Sequence, residues 1–212
     1  MAEDRSVLVG IPLGYGGIPP ETSESLIRAC SGWAIKTRTG RTDLNRNYLC
    51  QAALDGEYEY IVMLDVDHMH PADTVERLYQ RAQADKRRQV VAALCFSRQE
   101  PYKPLAWVER GDKCERIGAW ERALVKVRWV GTGAILIATE ALRQIGPPWF
   151  VYLYDEAAHA YPSEDIAFCE KCAKAGVTVW LDPTLSPPHL GRILVDEALY
   201  RAYERGRNGS RS

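Results

Sequence analysis

The sequence predicts an α/β fold in a single domain, with a mostly parallel central sheet flanked by helices. Three observations carry this. Strand-length apolar runs recur along the chain: SVLVGIP, YIVML, QVVAALCF, AILIA and VTVWL. Between most of them lie stretches with apolar residues at helical spacing, the pattern of βαβ units. The runs are apolar on both alternating sets of positions, as strands covered on both faces are.

Taken in order, Ser6 to Pro12 is the first strand, closed by Pro12 and then by Gly14, Gly16 and Gly17. Glu21 to Cys30 follows as a helix, with Thr22 as its N-cap and Leu26, Ile27 and Ala29 or Cys30 facing inward. Trp33 to Thr37 alternates as a short strand, and Asp43 to Leu54 carries Leu44, Tyr48, Leu49 and Ala52 at helical spacing. The strand Tyr60 to Leu64 stops at a cluster of carboxylates, after which Pro71 and Asp73 open a helix over Thr74 to Ala84. Gln89 to Phe96 is the next strand. Ser97 to Lys126 contains Pro101, Pro104 and Gly111 with no clean period, and is expected to form loops and a hairpin.

Val127 to Val130 reads as one strand running into Gly131-Thr132-Gly133, followed by the strand Ala134 to Ala138 and the helix Thr139 to Ile145, which Gly146 ends. Ser163 caps a helix from Glu164 to Ala175, Gly176 ends it, and Val177 to Leu181 is the last strand. The domain is expected to span 1–200. Residues 201–212, with Arg201, Arg205, Arg207 and Arg211 among Gly and Ser, read as a basic, disordered tail.

Composition excludes several classes of function. With 212 residues, 46% hydrophobic, the chain can bury a core without covalent staples. Its 27 Lys+Arg against 28 Asp+Glu leave a net charge of −1, so it offers no broad basic face to a nucleic acid. No apolar run approaches the roughly 20 residues of a membrane span. The six cysteines are scattered through apolar stretches and Met-Ala-Glu-Asp-Arg has no apolar leader character, so reduced thiols and a cytoplasmic setting are expected. Cys169 and Cys172 have redox spacing, but no second pair or nearby His completes a site, and they read as packing.

The sharpest chemical feature is Asp65-Val66-Asp67, directly after YIVML. Both carboxylates project together only where the chain leaves the sheet, at the strand edge where open α/β sheets bind ligands. Hard oxygen ligands there suit Mg²⁺ or Mn²⁺, with substrate phosphates completing the shell. Asp67 is the candidate direct ligand; a pair of solvated loop acids is the plainer alternative. Ser163-Glu164-Asp165 opens a helix, where acids complement the macrodipole and where a catalytic base is also well placed. His189, held behind Pro187 and Pro188, is a candidate third ligand for Mn²⁺. His68 and His70 are not assigned to the metal, because side chains two apart on an extended loop share a face only through local geometry.

These motifs occur in the order DxD, ED, His. With IPLGY, GRTDLNRN, VMLDVDHMHP, WVGTGAILI, SEDIAFCEKCAKAG and TVWLDPTLSPPHLG, they make roughly residues 6–192 resemble glycosyltransferases of the GT-A fold, in the large family-two-like group. The resemblance implies a metal-dependent transfer of a sugar from a nucleoside-diphosphate donor to an acceptor hydroxyl. It implies that Pro12, Leu13, Gly14 and Tyr15 form the loop under the base. Asp65 and Val66 would lie on the nucleotide side, Asp65 at the ribose or the metal, while Asp67 and His189 would hold Mn²⁺ or Mg²⁺. Arg41, Asn45, Arg46 and Asn47 fall in the segment that contacts the nucleotide region or supports the DxD strand. Gly131, Thr132 and Gly133, beside Trp129, would flank the donor sugar, and Asp165 would be the general base, with Glu164 as its neighbour or in its place. Inverting and retaining chemistry both fit this set, and the acceptor stays open. Two other readings compete: a sugar nucleotidyltransferase, which needs a basic Gly-rich loop that Gly14 to Glu21 lacks, and a non-catalytic sugar-nucleotide or glycan binding protein.

Overall fold

A computed structural model describes residues 6–153 and 163–191. The chain runs β1 (Val7–Leu13), α1 (Pro20–Ala29), β2 (Ala34–Thr39), α2 (Thr42–Asp55), β3 (Tyr60–Leu64), α3 (Thr74–Gln83) and β4 (Val90–Ala93). There follow β5 (Ala106–Arg110), β6 (Lys113–Arg116), β7 (Val125–Val127), β8 (Trp129–Val130), β9 (Ala134–Ala138), α4 (Thr139–Ile145), α5 (Glu164–Lys174) and β10 (Val179–Asp182). The expected tail at 201–212 lies outside the described residues.

A seven-stranded sheet in the order β2-β1-β3-β9-β4-β10-β7 forms the centre, with helices on both faces. β1, β2, β3, β4 and β10 run one way, and β9 and β7 run against them, so the sheet is mainly parallel. β9 enters between β3 and β4 because no crossover helix precedes it: the chain arrives through Gly131-Thr132-Gly133 and pairs directly with β3, Ala134 opposite Leu64. That reversal sets the start of β9 beside the C-terminal ends of the parallel strands.

Each central strand feeds both cores by alternation. Ile61 and Met63 of β3, with Ile135 and Ile137 of β9, pack on the face of α2, α4 and α5; Val62, Leu64 and Leu136 pack on the face of α1 and α3. Each such fully buried aliphatic side chain contributes about 1.5–3 kcal/mol relative to exposure. Gly10 lets α2 lie close on β1, since a Cβ there would sit 3.2 Å from Leu49 Cδ1.

Three sequence expectations change, and a fourth, the hairpin, holds. α1 is capped by Pro19 with Pro20 as its first residue; the hydroxyl of Thr22 is buried and bonds instead to the carbonyls of Pro19 and of distant Val66. Ile27 of α1 and Leu44 and Tyr48 of α2 are exposed. The inward stripe of α2 is Asn45, Arg46, Leu49, Cys50 and Ala53, because its polar members tie down loops at the sheet edge. The single strand expected over Val127 to Val130 is two: β7 pairs with β10, while β8 joins β5 and β6 in a second, three-stranded sheet. The hairpin expected within 97–126 is β5–β6, turning through Gly111 at φ 62°.

Candidate functional site

At the C-terminal edge of the parallel strands, Asp65, Asp67, His189, Thr132, Gly133 and Asp165 line one cavity of about 160 Å³. Larger cavities lie elsewhere, one of about 720 Å³ beside α1 with an apolar lining. Size does not select the site; convergence of titratable groups does.

The turn after β3 is held at three successive carbonyls. The Asp65 carbonyl accepts from His70 Nε2 at 2.8 Å, that of Val66 from the Thr22 hydroxyl, and that of Asp67 from the Leu190 N–H at 2.8 Å. Burial drives the His70 imidazole down to about 4, so it is neutral and serves as a structural donor. The Leu190 bond, with Met69 N–H to the Pro188 carbonyl, forms a short antiparallel bridge that sets His189 beside His68.

Their rings stack at 4.1 Å. His189 Nε2 lies 3.2 Å from Asp67 Oδ2, and His68 Nδ1 lies 3.2 Å from Asp67 Oδ1. One donor atom from each of Asp67, His68 and His189 lies within 4.8 Å of the others. His189 Nδ1 faces the Phe96 carbonyl at 2.8 Å, and an N–H donated there leaves Nε2 as the free ligand atom, the usual arrangement of a metal-binding imidazole. The donor set therefore fits a divalent cation such as Mn²⁺. Burial alone would raise the Asp67 carboxyl, but hydrogen bonds from His189 and His68 outweigh it and hold it well below the ordinary range. Burial would lower His189, and its bond to Asp67 instead raises it.

His68 was set aside on sequence grounds, and the structure places it in the cluster. Gly133 makes the room: a Cβ there would fall 2.6 Å from His68 Cε1 and 2.9 Å from Cys95 Sγ. Gly133 also accepts the Asp65 N–H at 2.8 Å, tying the glycine segment to the acidic turn.

Arg46 and Arg41 part company. Arg46, its side chain 2% exposed, grips both oxygens of Asp65 at 2.8 and 3.0 Å and pairs with Glu164 at 3.5 Å. Its guanidinium is occupied by protein carboxylates, and it braces the DxD turn. Arg41 reaches solvent at the end of β2 in a bidentate pair with Asp43. Asn45 bonds the Leu13 and Gly40 carbonyls, and Asn47 pins the backbone of Trp149 and Phe150. Pro12 and Leu13 belong to β1, opposite Arg38 and Thr39, so the open loop begins at Gly14 and carries exposed Tyr15.

The two acids of α5 also separate. Ser163 caps the helix through the Ile166 N–H. Glu164 is buried against Arg46, whereas Asp165 lines the cavity and accepts from the Thr132 hydroxyl and, at 3.4 Å, from its N–H. Burial pushes the Asp165 carboxyl up to about 6, Arg46 opposing and Glu164 adding to the rise. Asp65 is likewise raised by burial against the pull of Arg46. Trp129 is fixed by its indole N–H on Glu170 at 2.6 Å. All six cysteines are free thiols, and among the described residues no helix is long and apolar enough to cross a membrane.

No protein-family model and no curated protein matches the sequence. Solved structures do match the fold. A197 from STIV aligns at TM-score 0.60 and 17% identity over 91% of this chain and 87% of that one. A CMP:2-keto-3-deoxy-manno-octonic acid synthetase complexed with CTP aligns at 0.53 and 13%, covering 97% of this chain and 99% of that one. GalNAc-T7 with UDP, GalNAc and Mn²⁺ aligns at 0.55 and 13%, covering 89% of this chain and 43% of that one. The chain has a GT-A-like mixed α/β fold, with a mainly parallel central sheet flanked by helices.

Proposed function

We propose that this protein is a metal-dependent glycosyltransferase, family-two-like, that moves a sugar from a nucleoside-diphosphate donor to an acceptor hydroxyl. The observation that carries the reading is the single cavity shared by the Asp67, His68 and His189 cluster and the Asp165 carboxylate.

Asp67 and His189, with His68 and Asp65 beside them, would hold a Mn²⁺ or Mg²⁺ ion, which would supply Lewis-acid neutralisation of a departing diphosphate. The remaining work falls to the chain. Gly14 and exposed Tyr15 after β1, with Arg41 after β2, would contact the nucleotide. The backbone of Gly131 to Gly133 lies close enough to the acidic turn to bound the donor sugar. Asp165 takes the proton of the acceptor hydroxyl as it attacks, and a carboxyl near 6 is matched to that task at neutral pH. Thr132 fixes the orientation of that carboxylate, and Arg46, clamped between Asp65 and Glu164, keeps the acidic turn and the start of α5 in register.

The near-complete mutual coverage with the CTP-bound synthetase favours a second reading, nucleotidyl transfer, but the segment Gly14 to Glu21 has no Lys or Arg to receive a triphosphate. A thermal-shift screen with UDP, GDP, CDP and dTDP, each with Mn²⁺, Mg²⁺ or chelator, tests the reading. One nucleoside diphosphate at 100 times its Kd stabilises by about 2.7 kcal/mol, and chelation should abolish the shift. Transfer from the matching sugar nucleotide should then be lost in Asp165→Asn. A preference for CTP or another triphosphate, with release of pyrophosphate, would select the synthetase reading.

A further inference from the structure

Two nitrogens approach Asp67 Oδ2 at once: His189 Nε2 at 3.2 Å and, donating from its guanidinium, Arg98 Nη1 at 2.9 Å. Arg98 comes from the loop after β4, which folds back through Ser97 N–H to the Lys103 carbonyl. Its side chain is 57% exposed, and it stands between two cavities that meet at Asp67. One is the site already described; the other, of about 420 Å³, is bordered by Pro19, Gln99 and Leu190.

A divalent ion taken up by Asp67 Oδ2 and His189 Nε2 competes with this guanidinium for the same carboxylate oxygen. A planar fork on an exposed stem, once displaced, is suited to bidentate contact with phosphate oxygens. We propose that Arg98 is a resident counter-cation that neutralises Asp67 in the metal-free protein and, when the metal displaces it, becomes a ligand for the diphosphate of the donor. The inference rests on the metal-site reading above and adds to it a phosphate-binding residue that no sequence motif marked.

The role makes two effects of opposite sign. Removing the guanidinium should tighten binding of the metal alone and weaken binding of a diphosphate in the presence of metal; a residue that merely shapes the loop would move both in one direction or neither. The test is calorimetry on the full chain, with Mn²⁺ alone and then with inorganic pyrophosphate at saturating Mn²⁺, for wild type, Arg98→Gln, Arg98→Lys and Asp67→Asn. Arg98→Gln should bind Mn²⁺ about two- to fivefold more tightly, the range of an exposed ion pair, and pyrophosphate about tenfold more weakly. Arg98→Lys should lie between. If Asp67→Asn abolishes Mn²⁺ binding while Arg98→Gln leaves both constants unchanged or weakens both, the Arg98 role is wrong and the metal site stands. If the wild type binds no Mn²⁺, both are wrong. Because Arg98 is exposed and outside both cores, an unchanged unfolding midpoint confirms that its variants are folded.

Discussion

The imidazole of His189 meets the carboxylate of Asp67 at 3.2 Å across 122 residues of sequence, and the approach is made by backbone pairing before any side chain is considered. Leu190 N–H to the Asp67 carbonyl and Met69 N–H to the Pro188 carbonyl lay the two segments side by side. The pairing of Asp67 with His189 is thus assembled by folding.

From this follows the behaviour of the ligand variants. Even groups that only orient a metal ligand are worth about 10–100-fold in affinity. Asp67→Asn and His189→Gln should therefore each weaken Mn²⁺ binding by about 100-fold or more. His68→Ala should weaken it less, about tenfold, if His68 only stacks on His189 and braces Asp67. Titration of Mn²⁺ by electron paramagnetic resonance checks this, and equal loss in all three variants would make His68 a direct ligand.

Arg46 is expected to matter more for stability than for donor contact. Removing one partner of a buried ion pair leaves uncompensated charge and costs about 3–5 kcal/mol. Here Arg46→Ala strands both Asp65 and Glu164. Urea unfolding of Arg46→Ala should show a loss in that range, and Arg41→Ala, whose guanidinium is exposed while its partner Asp43 is buried, a clearly smaller one. Equal, small losses would contradict the bracing role.

The difference between these two arginines also marks how far the sequence could be read. Strand identity was legible because apolar runs such as YIVML bury both faces, and the helix ends were legible from Gly146, Ser163 and Gly176. The orientation of β9 was not, since a run such as AILIA pairs equally well either way until the connection before it is known. On α2 the apolar pattern pointed to Leu44 and Tyr48, yet the stripe that faces inward includes Asn45 and Arg46. A signal existed: Arg46 stands three and four residues before Leu49 and Cys50, on the same helical face. The DxD turn, the ED pair and His189 were each visible, and the structure gathers Asp67, Asp165 and His189 into one cavity. His68 and Arg98 were not visible, because their positions depend on the bridge at 188–190 and on the loop after β4, and neither has a local pattern.

The raised carboxyl of Asp165 predicts a pH dependence with a definite sign. Its folded value of about 6 exceeds the ordinary 3.8, so the folded protein holds this proton more tightly than the unfolded chain. That contribution to stability is full below 3.8, is lost as pH rises through about 6, and leaves a charged, strained carboxylate at neutral pH. Asp165→Asn should therefore raise the unfolding midpoint at pH 8 relative to wild type, and the gain should vanish near pH 4. Transfer activity in the wild type should instead rise through a limb near pH 6, where the base becomes available. A midpoint difference that is flat from pH 4 to 8 would remove the case for Asp165 as the tuned group.

Gly133 is the position where backbone shape and site chemistry are hardest to separate, and a mutant cycle does it. A methyl group there would fall 2.6 Å from His68 Cε1 and 2.7 Å from its Nε2, with Cys95 Sγ at 2.9 Å. Both neighbours are buried, so overpacking should cost about 1–3 kcal/mol, and His68 should be driven out of its stack on His189. Gly133→Ala is thus expected to lower both the unfolding midpoint and the affinity for Mn²⁺. In His68→Ala the ring that blocks the methyl is gone, so the added cost of Gly133→Ala should shrink to what Cys95 imposes. A coupling on the order of 0.5–3 kcal/mol between the two substitutions is the expected result. Additive losses would mean that Gly133 acts on the site through its bond to the Asp65 N–H rather than by making room for His68.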